Sequence, residues 1–241
     1  MTAVLPDPDP FRHENLASYD DDLNRGISLS GESKDFFVQG RLAWLARRLE
    51  SIGAAAPRTI LDYGCGGGDT TALLAQWWPQ ARVVGVDTSE SLIAFASRGP
   101  RADRCEFHRL DKVPEGLRFD LAYCNGVFHH VPVAERPAAL AWIRSRMAFG
   151  GTFALWENNS WNLGARWVMR RIPFDRDAVM LSPADAVRML KRAGFGTLSL
   201  DFAFVFPKFL GWARPLERVL CKLPLGAQYQ VLCRPAAAAG T

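Results

Sequence analysis

The run Ile60-Leu61-Asp62-Tyr63-Gly64-Cys65-Gly66-Gly67-Gly68-Asp69 constrains this chain more than any other. An apolar, strand-like stretch ends at Tyr63, glycines at 64, 66 and 68 break it, and helical spacing resumes at once. Those glycines let the main chain take positive φ and let a ligand lie on the backbone with no Cβ between them. A buried strand that turns through such a loop into a helix opens a crossover unit and needs a parallel neighbour. The run Val83-Val84-Gly85-Val86-Asp87 supplies that neighbour, and Asp87 stands 23 residues after Gly64. In a Rossmann-like crossover this acid sits at the carboxyl end of the second strand, beside the ribose of whatever the loop holds. A carboxylate there can accept both ribose hydroxyls.

The alternation continues along the chain. RTILDY, ARVVGVD, RFDLAYC and GTFALWE read as strands, the last following Gly150 and Gly151; Thr70 to Trp78, Ser89 to Arg98 and Ala134 to Met147 read as helices between them. Ahead of them, Phe37, Val38, Leu42, Leu45 and Leu49 recur at helical spacing, with Arg41, Arg47 and Arg48 assigned to the opposite face. Later, Ser182 as N-cap, Pro183 at N1 and Asp185 in the first turn start a helix that Gly194 closes. TLSLDFAFVF and AQYQVLCR follow as two more strands. No internal repeat of 20 to 50 residues is visible.

Composition narrows the class. With 241 residues, 49% of them apolar and 22% charged, the chain can bury one continuous core and is too ordinary for disorder. A net charge of +4 is too small for the broad basic surface of a nucleic-acid binder. The cysteines at 65, 105, 124, 221 and 233 are odd in number and lack C-x-x-C spacing, which argues against a disulfide framework and a structural zinc site. The opening MTAVLPDPDPF lacks the basic and apolar regions of a secretory signal, and no apolar run is long enough to span a bilayer. A cytoplasmic chain is the expectation.

A dinucleotide loop would place its third glycine at position 69, where this chain has Asp, an anion at the point where a pyrophosphate would sit. The pattern is instead D-x-G-x-G-x-G, which suits a ligand with an amine and no phosphate. At these residues the chain resembles the class I S-adenosylmethionine-dependent methyltransferases, in particular the small-molecule group that includes the quinone-ring methyltransferases. The resemblance runs over roughly residues 57 to 157. It implies an α/β, Rossmann-like, seven-stranded and mostly parallel sheet, with helices on both faces and an antiparallel last strand. S-adenosyl-L-methionine is then the cofactor. By the same resemblance Asp62, Gly64, Cys65 and Gly66 surround its methionine part, Asp87 holds the ribose, Thr88 lies near the adenine, and Leu110 is a further cofactor contact. Asp111 caps the adenine amino group, and Asn125 is the contact from the segment YCNGVFHHVP. Tyr19 and Arg25 match a flap over the cofactor more loosely.

His129 and His130 stand beside the methyl site in this resemblance, and an imidazole suits proton transfer near neutral pH. Each has the alternative of packing on the sheet and bonding backbone. Glu157 follows the fifth strand at the same carboxyl edge, where it can orient the acceptor or assist His130. The segment from Trp161 to Phe174, with Arg166, Arg170 and Arg171, reads either as a lid favouring an anionic acceptor or as a helix with a solvated basic face. The apolar stripe within 207–224 reads first as packing on its own domain or a second subunit, and only second as lying on a membrane surface. One domain over 1–240 is expected, with 1–12 a tail, 13–50 a flap and helix, 57–157 the cofactor core, and 158–181 and 207–224 insertions.

The expected reaction is metal-independent methylation of oxygen or nitrogen on a small molecule, in glycan, lipid or secondary-metabolite synthesis. The alternatives are a non-catalytic S-adenosylmethionine-binding or interaction module, or a nicotinamide-dependent oxidoreductase. The chain lacks the [DNS]-P-P-[YF] of nucleic-acid amino-methyltransferases after the fourth strand, the Asp of metal-dependent catechol-type enzymes there, and any Y-x-x-x-K of a short-chain reductase.

Overall fold

The computed structural model describes residues 31–98, 103–170 and 179–236. Helix α1, Lys34–Ser51, starts at Ser33, whose hydroxyl accepts the Phe36 N–H. Val38, Leu42, Leu45 and Leu49 are buried as the spacing predicts, but so is Arg41, at 5% exposure, and Arg48 is half-buried. This corrects the assignment of all three arginines to the outer face; Arg47 alone is exposed. Position 41 lies three residues beyond Val38 and four before Leu45, so the helical spiral carries it inward.

Seven strands form one sheet in the order β3-β2-β1-β4-β5-β7-β6. They span Thr59–Tyr63 (β1), Arg82–Asp87 (β2), Cys105–Arg109 (β3), Phe119–Asn125 (β4), Met147–Asn158 (β5), Phe195–Ala203 (β6) and Gln228–Pro235 (β7). Pairs β1–β2, β2–β3, β1–β4 and β4–β5 are parallel, whereas β7 runs antiparallel to both β5 and β6. The order reverses between β1 and β4, and at such a switch point the loops leaving the two strands part to form a ligand crevice.

Helices cover both faces. On one, Val38, Leu42, Leu45 and Leu74 pack on Ile60, Leu121, Tyr123 and Trp156. On the other, Leu140, Ile143 and Leu190 pack on Leu61, Phe119, Phe153 and Val231. Neighbours such as Ile60 and Leu61 face opposite ways, the period-two signature of a strand buried on both sides. Helices α2 (Asp69–Trp77), α3 (Glu90–Ala96), α4 (Arg136–Ser145) and α6 (Pro183–Arg192) make the crossovers; α5 (Leu163–Met169) follows β5. Ser182 caps α6 through the Asp185 N–H, and Gly194 closes it at φ 81°.

Two boundaries differ from expectation. The helix read from Ala134 to Met147 ends at Ser145, and β5 begins at Met147 and runs through Gly150 and Gly151. Phe119 pairs with Met147 and Leu121 with Thr152, so residues 148–151 form a bulge, where Gly150 takes φ 75°. The stripe beyond β6 does not turn its largest side chains onto its own domain. It forms a 3-10 segment, Lys208–Leu216, and a short helix α7, Glu217–Leu220, and leaves Phe209, Trp212 and Val219 in solvent.

Candidate active site

The carboxyl ends of β1, β2 and β4 meet at the switch point. Gly64 and Cys65 both donate backbone N–H groups to the Val86 carbonyl, at 2.8 and 3.0 Å, tying the glycine loop to the end of β2. Asp87 is then fixed by main chain: Gly66 N donates to one carboxylate oxygen at 2.9 Å and Ser89 N to the other at 3.0 Å. Gly64 has φ 74°, and a Cβ there would stand 2.3 Å from Val127 Cγ2, so the loop rests directly on the segment after β4. Gly66, at φ 53°, has nothing among the described residues within 4 Å of where its Cβ would be. Main chain beside Asp87 therefore faces open space that a ligand can fill.

Asp62 lies beneath this loop at 2% exposure, with the Thr71 hydroxyl donating to it at 2.7 Å. Burial pushes its carboxyl up to about 7, the Thr71 bond pulls the other way, and the Asp87 charge adds to the rise. An acid so placed is stabilised by a cation arriving beside it. Cys65 and Cys124 are buried, and desolvation first, then nearby carboxylates, lifts both thiols well above their ordinary range, so they are neutral packing groups. Thr88 is exposed next to Asp87, and Leu110 is half-buried against the core. Asp111 is exposed and forked by its neighbour Arg109, whose Nε donates at 2.6 Å; that bond holds the carboxyl below its usual range. Asn125 ends β4, half-buried, and the next residue, Gly126, donates its N–H to the Trp156 carbonyl at 3.0 Å.

That bond brings in β5. Glu157 is 2% exposed; one carboxylate oxygen accepts the Phe128 N–H at 2.8 Å, and the other meets His129 Nδ1 at 2.6 Å. Glu157 therefore engages His129 and not His130, a correction to the expected assistance. His130 is half-buried with its ring centroid 4.2 Å from that of His129. Arg166 and Arg170 are exposed on and just after α5. Tyr19, Arg25 and Arg171 lie outside the described residues.

Several residues were not singled out by the sequence. Thr71 sets the Asp62 environment. Phe107 on β3 lies where a Cβ at Gly68 or Gly85 would fall, 2.8 Å away in both cases. A glycine inside the strand run VVGVD was the available signal for such an approach. Arg41 donates to the Tyr123 hydroxyl at 3.2 Å and to Gln228 at 3.0 Å, and Gln228 donates to Asn158 at 3.1 Å, carrying a polar chain from α1 to the end of β5. Among the described residues no group of three His, Cys, Asp or Glu side chains is placed to hold a metal ion.

A glycine loop at the switch point of a sheet ordered 3-2-1-4-5-7-6, with its seventh strand reversed, is the architecture of the class I S-adenosylmethionine-dependent methyltransferases. Residues 60–151 match the model of the methyltransferase-domain family. A trans-aconitate 2-methyltransferase of Rhodopseudomonas palustris (strain BisB5) is 32% identical over 128 residues, 53% of this chain and 49% of the relative. Another, of Mycobacterium sp. (strain KMS), is 29% identical over 160 residues, 61% of each chain. The chain thus spans about half to three-fifths of the curated relatives it matches. Among solved structures, the magnesium protoporphyrin IX methyltransferase of Synechocystis PCC 6803 with bound SAH superposes with a TM-score of 0.58 at 18% identity, over 90% of this chain and 86% of that one. That likeness is one of fold. Among the described residues no helix is long and apolar enough to cross a membrane.

Proposed function

We propose that this chain methylates an oxygen or nitrogen of a small anionic acceptor from S-adenosylmethionine, with His129 as the proton acceptor and no metal. The observation that carries this reading is the buried Glu157–His129 contact, 2.6 Å, on the turn that also supports the glycine loop through Val127 and Gly64. A carboxylate on Nδ1 selects the tautomer in which Nε2 is the basic nitrogen, and it stabilises the imidazolium once a proton is taken.

In this reading Asp62 meets the cofactor's ammonium, Gly64, Cys65 and Gly66 lie along its methionine part, and Asp87 takes the ribose hydroxyls. Thr88, Leu110 and Asp111 border the adenine, with Asp111 drawn from its ion pair with Arg109, and Asn125 closes the methionine end. When bound, the cofactor supplies an electrophilic methyl on a sulfonium. The protein's part is to hold acceptor atom, methyl and sulfur in line, which can supply ~7–11 kcal/mol of the barrier. His129 takes the acceptor's proton as the new bond to the methyl forms and the carbon–sulfur bond breaks. Arg166 and Arg170, beyond the end of β5, suit an acceptor bearing carboxylate or phosphate. The trans-aconitate named for the two relatives is anionic, which supports the charge of the acceptor alone, since its carboxylate oxygens carry no proton for His129 to take.

The test is transfer of labelled methyl into a panel of hydroxy acids, amino acids and sugar phosphates. Incorporation into an anionic member is expected, insensitive to EDTA. His129→Ala should lower turnover by about 10²–10⁴-fold while cofactor binding by calorimetry is retained. Incorporation confined to neutral acceptors, or undiminished turnover in the His129 variant, refutes the corresponding part. Tight NADH binding without S-adenosylmethionine binding refutes the whole.

A further inference from the structure

Phe209, Trp212, Leu216, Val219 and Leu223 are 77, 79, 53, 80 and 49% exposed. The first four lie along the 3-10 segment and α7, which is kinked at Leu210, and Leu223 follows in the turn beyond, so the five stand close together in the chain. Ala213 and Cys221 are buried on the other side. A stripe at this spacing ordinarily turns to the core. Single exposed apolar residues are unremarkable, but five large ones within fifteen residues mark a contact surface.

The row is held out by specific anchors. Glu217 accepts three consecutive backbone N–H groups, from Phe204, Val205 and Phe206, at 3.1, 2.9 and 3.0 Å. Arg214 donates to Glu32 at 2.5 Å, and Lys222 to the fully buried Asp201 at 2.7 Å. These bonds also consume the local acids. Glu217 points into the backbone turn and Asp201 into the core, whereas Lys208, Arg218 and Lys222 stay exposed beside the apolar row. Arg47 of α1 joins them: its guanidinium is held below its usual range by partial burial first, then by the charges of Arg218 and Arg48. The face is thus apolar in the middle and positive around it. A second copy seated on the same row by two-fold symmetry would set this basic rim against itself. An anionic bilayer meets both halves, receiving the aromatic and aliphatic row at its interface and the cations at its headgroups.

We propose that the outward row from Phe209 to Leu223, rimmed by Lys208, Arg218 and Arg47, docks the chain on the surface of an anionic phospholipid bilayer. The contact is interfacial. Residues 224–226 continue from the row, and their carbonyls are held by Asn159 and Asn162 just after β5, at 3.2, 2.7 and 2.8 Å. Docking therefore fixes the orientation of the acceptor edge to the bilayer.

The full chain is mixed with vesicles of phosphatidylcholine alone or vesicles containing phosphatidylglycerol, and floated on a density gradient. It should rise with the phosphatidylglycerol vesicles only, and less so at high salt. Lys208→Gln with Arg218→Gln should weaken partitioning about thirtyfold, and Trp212→Ser with Val219→Ser at least about tenfold. All four substituted residues are exposed, so the thermal midpoint should hold. Several results overturn the proposal: flotation with neither vesicle, equal flotation with both, or variants that bind as the parent does. A dimer in sedimentation that Val219→Glu dissolves, with no vesicle bound, assigns the row to a second copy instead. Vesicle binding that appears only after residues 1–30 are deleted assigns it to the chain's own N-terminal segment. None of these readouts depends on methyl transfer.

Discussion

At the β1–β2 end of the carboxyl edge the structure is made of main chain. Gly64 and Cys65 donate backbone N–H groups to the Val86 carbonyl, and Gly66 and Ser89 donate theirs to the Asp87 carboxylate. At the β5–β7 end the same edge is made of long side chains reaching across elements distant in sequence. Arg48 forks Asp201 from 153 residues away at 2.7 Å, Arg41 reaches Gln228 across 187, and Glu157 spans 28 to His129. One end excludes side chains so that a ligand can lie on the backbone. The other depends on them to hold an insertion and a turn in place. Subtraction should damage the second end, and addition the first.

The largest effect tests subtraction. Asp201→Ala removes a fully buried carboxylate that receives Arg48, Lys222 and the Ser199 hydroxyl at once. Leaving the half-buried Arg48 without its acceptor should cost about 3–5 kcal/mol, read as a lowered denaturation midpoint. The control is Arg82→Ala, which breaks an ion pair whose partners are 50% and 42% exposed and should cost about 1 kcal/mol or less. Equal losses in the two variants would erase the distinction between the buried clasp and an ordinary surface pair.

Addition is tested by one methyl group. Gly64→Ala must hold φ 74° and put a Cβ 2.3 Å from Val127, a combined cost of about 2–4 kcal/mol in stability with cofactor binding lost. Gly66→Ala meets nothing within 4 Å among the described residues. Only its φ of 53° is strained, about 1–2 kcal/mol, so it should fold and fail chiefly in calorimetric titration with S-adenosylmethionine. If Gly66→Ala bound the cofactor as well as the parent does, the ligand would not lie on that part of the loop.

The same contrast explains what could be read in advance. A device made of glycine and backbone is local, so the run from Ile60 to Asp69 and the Asp87 beyond it stand out in the chain, and the period-two and helical spacings around them yield the sheet. Side-chain partnerships across the fold leave no such trace. Nothing near Glu157 says whether it will reach His129 or His130, because that depends on how the turn after Gly126 is pinned to Trp156. Arg41 was assigned outward on charge, although its position on the helical spiral already placed it among Val38 and Leu45. The stripe after Pro207 misled in the opposite sense. Its spacing is that of a core-facing helix, but the Glu217 and Asp201 anchors turn that side to solvent.

The smallest effect sharpens the first end by proton linkage. With its carboxyl near 7 in the free protein and ordinarily near 3.8, Asp62 binds a proton more tightly folded than unfolded. Its contribution to stability is therefore fully present below about pH 3.8 and is lost as pH rises toward 7. A bound ammonium reverses the balance, since it favours the carboxylate. Binding in acid must then expel the Asp62 proton. Affinity for S-adenosylmethionine should improve about tenfold per pH unit between about pH 5 and 6 and level off above 7, until the ammonium itself loses its proton. Asp62→Asn should bind more weakly at neutral pH and lose most of this slope, with calorimetry in buffers of different ionisation enthalpy showing no proton release. A pH dependence that survives in the Asp62 variant would mean that the cation is met elsewhere and that the buried acid only braces Thr71.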